Sequence, residues 1–161
     1  MAISTQTRES GFKTNPDYKI LFEPSPRRVR VKFNGEVIAD STNAHLLFET
    51  RLPTRYYIPP ADVRMELLVP SETVTRCPYK GKASYYSAKI GDELFTDIVW
   101  TYPDPIPECP KINGYLCFFN ERVDEIRVDG VAVPRPVTPW SKDWKEKAAT
   151  VPDSRGPVVR P

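Results

Sequence analysis

A chain of 161 residues with a net charge of +2 has room for one domain with a real hydrophobic core and flanking tails. So mild a charge does not call for nucleic acid or an acidic membrane surface as partner, and no window approaches the roughly 20 apolar residues of a membrane span. Eighteen prolines against seven glycines point to many short strands joined by stiff turns, because proline interrupts helices and marks strand ends.

Residues 1–26 are polar and read as an extended N-terminal arm, with no apolar run of the signal-peptide kind, so a cytoplasmic location is expected. Within the arm Tyr18, Ile20 and Phe22 alternate, which lets this part dock on the domain or add an edge strand. Residues 27–133 form a single β domain. Residues 28–33 alternate cleanly between cations and apolar side chains, Asn34-Gly35 is a two-residue hairpin signal, and 36–39 return as the second strand. Residues 45–49 fit either a strand or one helical turn. Residues 56–58 read as a strand stopped by Pro59-Pro60, and 62–68 as a helical turn or a strand through Met65, Leu67 and Leu68.

Residues 84–90 have period two, Gly91-Asp92 is a turn, and 94–102 form the antiparallel partner. The proline-dense segment 103–110 can be neither helix nor central strand and is a rigid loop. Residues 115–119 and 125–128 are expected to make a final pair closing near Asp129-Gly130. Residues 134–161 are a proline-rich tail in which Ser141 caps a short helix to Ala149, with Trp140 and Trp144 one turn apart. These tryptophans clamp the tail to the domain, dock a partner protein or belong to a disordered tail.

Cys77, Cys109 and Cys117 are odd in number and lack a C-x-x-C pair, so no disulfide framework is expected. With the lone His45 they lack metal-ligand spacing, and neither metal nor cofactor is expected. Chemistry concentrates at 75–86, where Cys77, Lys80 and up to three phenols are pinned by Pro78 and Gly81. Lys80, beside aromatic walls and the cations Arg76 and Lys82, either has a depressed pKa and acts as a base or stays charged and binds an anion; otherwise it is a solvated turn lysine. Cys77 is a nucleophile only if its thiolate is activated, and a packed side chain if not. Tyr57, Tyr85, Trp100 and Tyr102 sit at strand positions where they line a pocket or fill a core; Trp100 and Tyr102, two apart, share a face. Glu49 closes the apolar run 46–48 and is placed either for acid–base work or simply at a strand end in water. Arg28 and Arg30 face one way, to neutralise an anionic ligand group or to form a solvated face.

Several separated motifs, in order, resemble domain-of-unknown-function family 427. They are Val29-Arg30-Val31-x-Phe33-x-Gly35, Ile38-Ala39-Asp40-Ser41, Tyr56-Tyr57-Ile58-Pro59 and Asp62-Val63. Further on come Thr75-x-Cys77-Pro78-Tyr79-Lys80-Gly81-x-Ala83-x-Tyr85, Trp100-x-Tyr102-Pro103 and the 118–130 ending, so that the likeness covers about residues 27–131. The resemblance implies a mainly β domain of the β-tent kind, with curved antiparallel sheets around a central cleft and few short helices. Other members of that wider fold carry zinc on paired cysteines; this chain has no such pairs, and packing takes the metal's structural place. The family also carries a nucleotidyltransferase label. This chain has no Asp-x-Asp pair, Gly-Ser lead-in or P-loop to hold metal ions on a triphosphate.

The residues point instead to a small-molecule enzyme working by general acid–base chemistry, of isomerase, cyclase, dehydratase or hydrolase type. Lys80, Tyr102 and Glu49 are the expected catalytic residues, and Tyr57, Cys77, Tyr85, Trp100 and Arg30 the expected ligand-binding ones. The expected partner is a small-molecule ligand, with a homo-oligomer possible and neither nucleic acid nor membrane involved. A non-catalytic binding or sensing domain is the alternative. A protein-interaction module built on arm and tail is the third.

Overall fold

The alternation of Val29, Val31 and Phe33 with Arg30 and Lys32 is realised as a strand whose apolar residues are buried and whose cations are exposed. A computed structural model describes residues 10–139 and 141. The short helix expected after Ser141, with Trp140 and Trp144, therefore lies outside the described residues. In chain order the elements are α1 (Gly11–Thr14), β1 (Ile20–Pro24), β2 (Val29–Phe33), β3 (Glu36–Ser41), β4 (His45–Glu49) and β5 (Arg55–Ile58). Two 3₁₀ turns follow, Pro60–Asp62 and Met65–Leu67. The remaining strands are β6 (Leu68–Cys77), β7 (Gly81–Ile90), β8 (Glu93–Thr101), β9 (Leu116–Phe118), β10 (Glu125–Val128) and β11 (Val131–Ala132).

The fold is mainly β, built from two antiparallel sheets. One has seven strands in the order β1-β4-β5-β9-β8-β7-β6, the other four in the order β11-β10-β2-β3. The β2–β3 hairpin turns on Asn34 and Gly35, with φ of 49° and 83°. Both lie in the left-handed region that a two-residue turn of this hand requires. β1 takes the edge-strand alternative, pairing with β4. Residues 45–49 become a strand because β1 and β5 hold them on both sides. Among the described residues no helix is long and apolar enough to cross a membrane.

One expectation is corrected. Residues 115–119 and 125–128 do not pair with each other: β9 lies between β5 and β8 in the large sheet, and β10 between β2 and β11 in the small one. A helical turn, with Arg122 N and Val123 N donating to Phe119 O, carries the chain from one sheet to the other. Leu116 and Phe118 then meet Ile126 across the core instead of along a ladder. Residues 69–77, to which the sequence pattern assigned no element, form most of a further strand. β6 runs ten residues and pairs with β7. Its polar residues and Pro70 are tolerated because it is an edge strand, with one row of backbone groups left to solvent.

The large sheet is covered on both faces. One face packs on the small sheet through Ile58, Ile98, Val99 and Phe118 against Val29, Val31, Phe33 and Ile38. The neighbouring residues Tyr57, Trp100, Cys117 and Phe119 join a second, aromatic-rich cluster, as strand alternation demands. This second cluster takes in Ile106, Cys109 and Ile112 of the 103–115 loop, and Phe12 and Tyr18 of the arm.

Candidate functional site

The second cluster contains an ion pair. Lys80, in the turn between β6 and β7, is 2% exposed, and its Nζ donates to Oε1 of Glu49 at 2.5 Å. Glu49 is the last residue of β4, and its other oxygen, Oε2, accepts a hydrogen bond from the Tyr18 hydroxyl. The carboxylate is thus clasped between an ammonium from the β6–β7 hairpin and a phenol from the arm.

The arm is seated by specific contacts. Gly11 N donates to Pro78 O at 2.8 Å. Tyr18 stacks on Tyr79 with centroids 3.7 Å apart, Phe12 meets Tyr79 edge-on at 5.2 Å, and Asn15 Nδ2 donates to the Tyr79 hydroxyl at 3.2 Å. A Cβ on Gly11 would lie 2.5 Å from Tyr79 Cε1, and a packed ring cannot yield cheaply. Gly11→Ala is therefore expected to lift the arm. Labelling of Cys77 by a thiol reagent should rise about tenfold or more with the circular dichroism of the sheets unchanged; unchanged labelling would show that the arm does not close this region.

All the expected site residues except Arg30 meet here. The Tyr102 ring lies 5.9 Å from Lys80 Nζ, Trp100 Nε1 donates to the Tyr57 hydroxyl at 3.0 Å, and Tyr85 shares a 2.9 Å hydrogen bond with Thr75. Cys77 belongs to the same cluster. Arg30 lies on the exposed side of β2, 3.5 Å from Asp40, because the alternation that buries Val29 and Val31 turns it outward.

The electrostatics alter the expected roles. Burial alone would push Lys80 down, but the neighbouring Cys77 and Glu49 outweigh it and hold the ammonium above the ordinary 10.5. Lys80 is a held cation, not a depressed-pKa base. Burial pushes the Cys77 thiol up, which opposes the thiolate a nucleophile needs, and it pushes Cys109 up to about 12. Burial and then Glu49 raise Tyr18, and burial raises Tyr102 and Tyr57 well above the usual phenol range. All three phenols are held in the protonated form, with Tyr18 donating to Glu49 and Tyr57 accepting from Trp100.

Sequence reasoning missed Tyr18 and Tyr79 as partners in this arrangement, although the 18/20/22 alternation was the available signal for docking. It also missed a second buried polar network. Arg55 donates to both oxygens of Glu121, at 2.7 and 2.9 Å, and its guanidinium lies 5.1 Å from the Trp100 ring. Thr138 Oγ1 donates to Glu121 Oε2 at 2.6 Å. Arg122, lowered to about 10 by burial, lies 4.0 Å over Phe119 and donates to Asp97 O at 2.7 Å. No local pattern in residues 120–124 announces this.

What the arrangement can do follows from its parts. Glu49 can accept a proton, Tyr18 can give one, and Lys80 brings a fixed positive charge to an interior where charge interactions are strong. A family model described as a domain of unknown function (DUF427) matches residues 21–129, from β1 to the turn after β10. No curated protein matches the chain.

Proposed function

The chain belongs to this domain-of-unknown-function family (DUF427), and we propose that it is a small-molecule enzyme of the general acid–base kind, with Glu49 as its proton acceptor, Lys80 as a fixed cation and Tyr18 as the donor that covers Glu49 until substrate enters. The observation that carries this reading is the Glu49 carboxylate held between two donors, Lys80 Nζ and the Tyr18 hydroxyl, within aromatic rings. Tyr18 belongs to the arm. When the arm lifts, Oε2 loses its donor, and the acidic hydroxyl or C–H of a substrate takes that place. Glu49 accepts the proton, Lys80 stabilises the oxyanion that develops, and Tyr102 walls the site beside Lys80. Isomerisation, cyclisation, dehydration and hydrolysis all include such a step, and a well-placed group contributes roughly 10²–10⁴-fold. The three free, buried cysteines suit a reducing, cytoplasmic setting.

Proton exchange tests this reading whatever product the enzyme forms. Keto acids, sugar phosphates and aromatic metabolites are incubated with the protein in D₂O, and deuterium incorporation at carbon is followed by NMR. The expected result is exchange in at least one compound, reduced about 100-fold or more in Glu49→Gln. Tyr18→Phe, which keeps the stack on Tyr79, serves as a second variant with an altered exchange rate and an intact fold. No exchange by the wild type across the panel would sink the reading. The near-complete burial of every group in the closed arrangement favours a second reading, a non-catalytic binding domain. That reading predicts thermal stabilisation by a panel compound, about 2.7 kcal/mol at a hundred times its Kd, with no exchange at all.

A further inference from the structure

Away from Glu49 and Lys80, the chain forms an open groove of 680 Å³ where the β1–β2 connection, the β3–β4 turn and the 3₁₀ turn Pro60–Asp62 meet. The volume lies within the roughly 300–1,000 Å³ of small-molecule sites. Pro24, Pro26 and Pro59 supply stiff apolar walls, and His45, Asp62 and Tyr115 the chemistry.

His45 is held rigidly. Its ring stacks on Phe22 with centroids 4.5 Å apart and meets Tyr115 edge-on at 5.0 Å. Its Nδ1 is buried with no hydrogen-bond partner. A buried N–H without an acceptor is costly, so in the neutral ring the proton belongs on Nε2. Nε2 is then the nitrogen left to meet a ligand, as a donor. Asp62 accepts from Ser41 Oγ through Oδ2 at 2.6 Å, which fixes the carboxylate and leaves Oδ1 available. Among the described residues no lysine or arginine lines the groove, and Asp62 gives it a negative charge.

We propose that this groove is a binding site for a planar amino-heteroaromatic molecule, neutral or cationic. Its ring lies against the prolines and Tyr115, its amino or amidine group donates to Asp62, and a ring acceptor meets His45. Anionic ligands are repelled by the carboxylate. This site does not rest on the acid–base reading, since Glu49 and Lys80 are not among its lining residues.

The experiment titrates 2-aminobenzimidazole into the ¹⁵N-labelled full chain, with benzoate as a planar probe of opposite charge. Saturable shifts are expected for amides of residues 42–45, 61–62 and 115, and none with benzoate. Asp62→Asn keeps an acceptor for Ser41 and should weaken binding about tenfold, as loss of one charge-assisted hydrogen bond does. His45→Phe keeps the stack on Phe22 and should weaken it similarly. Spectral dispersion reports that each variant is folded. Absence of saturable shifts in the groove, equal shifts with benzoate, or undiminished affinity in folded Asp62→Asn would each overturn the proposal.

Discussion

Replacing Glu49 by alanine is expected to destabilise the protein by about 3–5 kcal/mol, because it strands the Lys80 ammonium in the interior without a counter-charge. Both side chains are almost wholly buried, at 3% and 2% exposure, so solvent cannot screen the loss. Lys80→Met should cost less than Glu49→Ala when made alone, since methionine fills the space and Tyr18 still donates to the carboxylate. The double variant Glu49→Leu/Lys80→Met should recover most of the loss, because a packed apolar pair costs no desolvation. Urea unfolding of wild type, Glu49→Leu, Lys80→Met and the double variant closes the cycle, and additive effects would show that the two residues are not coupled.

The same pair sets an alkaline limit. Lys80 is raised in the folded protein above its ordinary 10.5, so its contribution is fully present below that pH and is lost as pH rises through the folded value. Wild-type stability should therefore fall more steeply than that of the double variant above about pH 10.5. Parallel curves would contradict the pairing.

Removing Glu121 is the second large effect. Glu121→Ala leaves Arg55 buried and unpaired, and a loss of about 3–5 kcal/mol is expected in chemical unfolding. Arg55→Lys should rescue little, since a single ammonium cannot replace the fork that meets both carboxylate oxygens at 2.7 and 2.9 Å or the plane that lies over Trp100. A lysine variant as stable as wild type would show that the bidentate geometry contributes nothing. Burial pushes the Glu121 carboxyl up, but the hydrogen bonds and charge of Arg55 outweigh it and leave the group below its ordinary 4.5. Its stabilisation is thus present above that value and lost as pH falls through the lower folded one. Unfolding midpoints measured between about pH 5 and 2 should drop for wild type and flatten for Glu121→Gln. By contrast Arg28, just before β2, and Asp40 of β3 make a hydrogen-bonded pair of equally short distance, 2.7 Å, that is open to solvent. Water and salt screen it, and its removal should move neither curve.

Strand alternation determined by itself which face each side chain takes: Val29, Val31 and Phe33 inward with Arg30 outward, and Tyr57 and Trp100 on the face opposite Ile58 and Val99. Turn chemistry at Asn34-Gly35 determined the β2–β3 hairpin, because few residues other than these adopt positive φ readily. The ordered motifs were likewise enough to place the chain in its family. Sheet order lay beyond local pattern. β10 joins β2 across most of the chain, and nothing in either strand names the other. β6 carried no legible strand pattern because an edge strand tolerates the proline and polar residues that break clean alternation.

The site itself was decided only by the tertiary structure. Tyr18 and Lys80 each lie 31 residues from Glu49, and Arg55 lies 66 from Glu121. A charged residue looks the same in sequence whether it ends in water or in the core. Burial is tolerated only where the fold delivers a partner of opposite charge, and that delivery depends on non-local strand pairing.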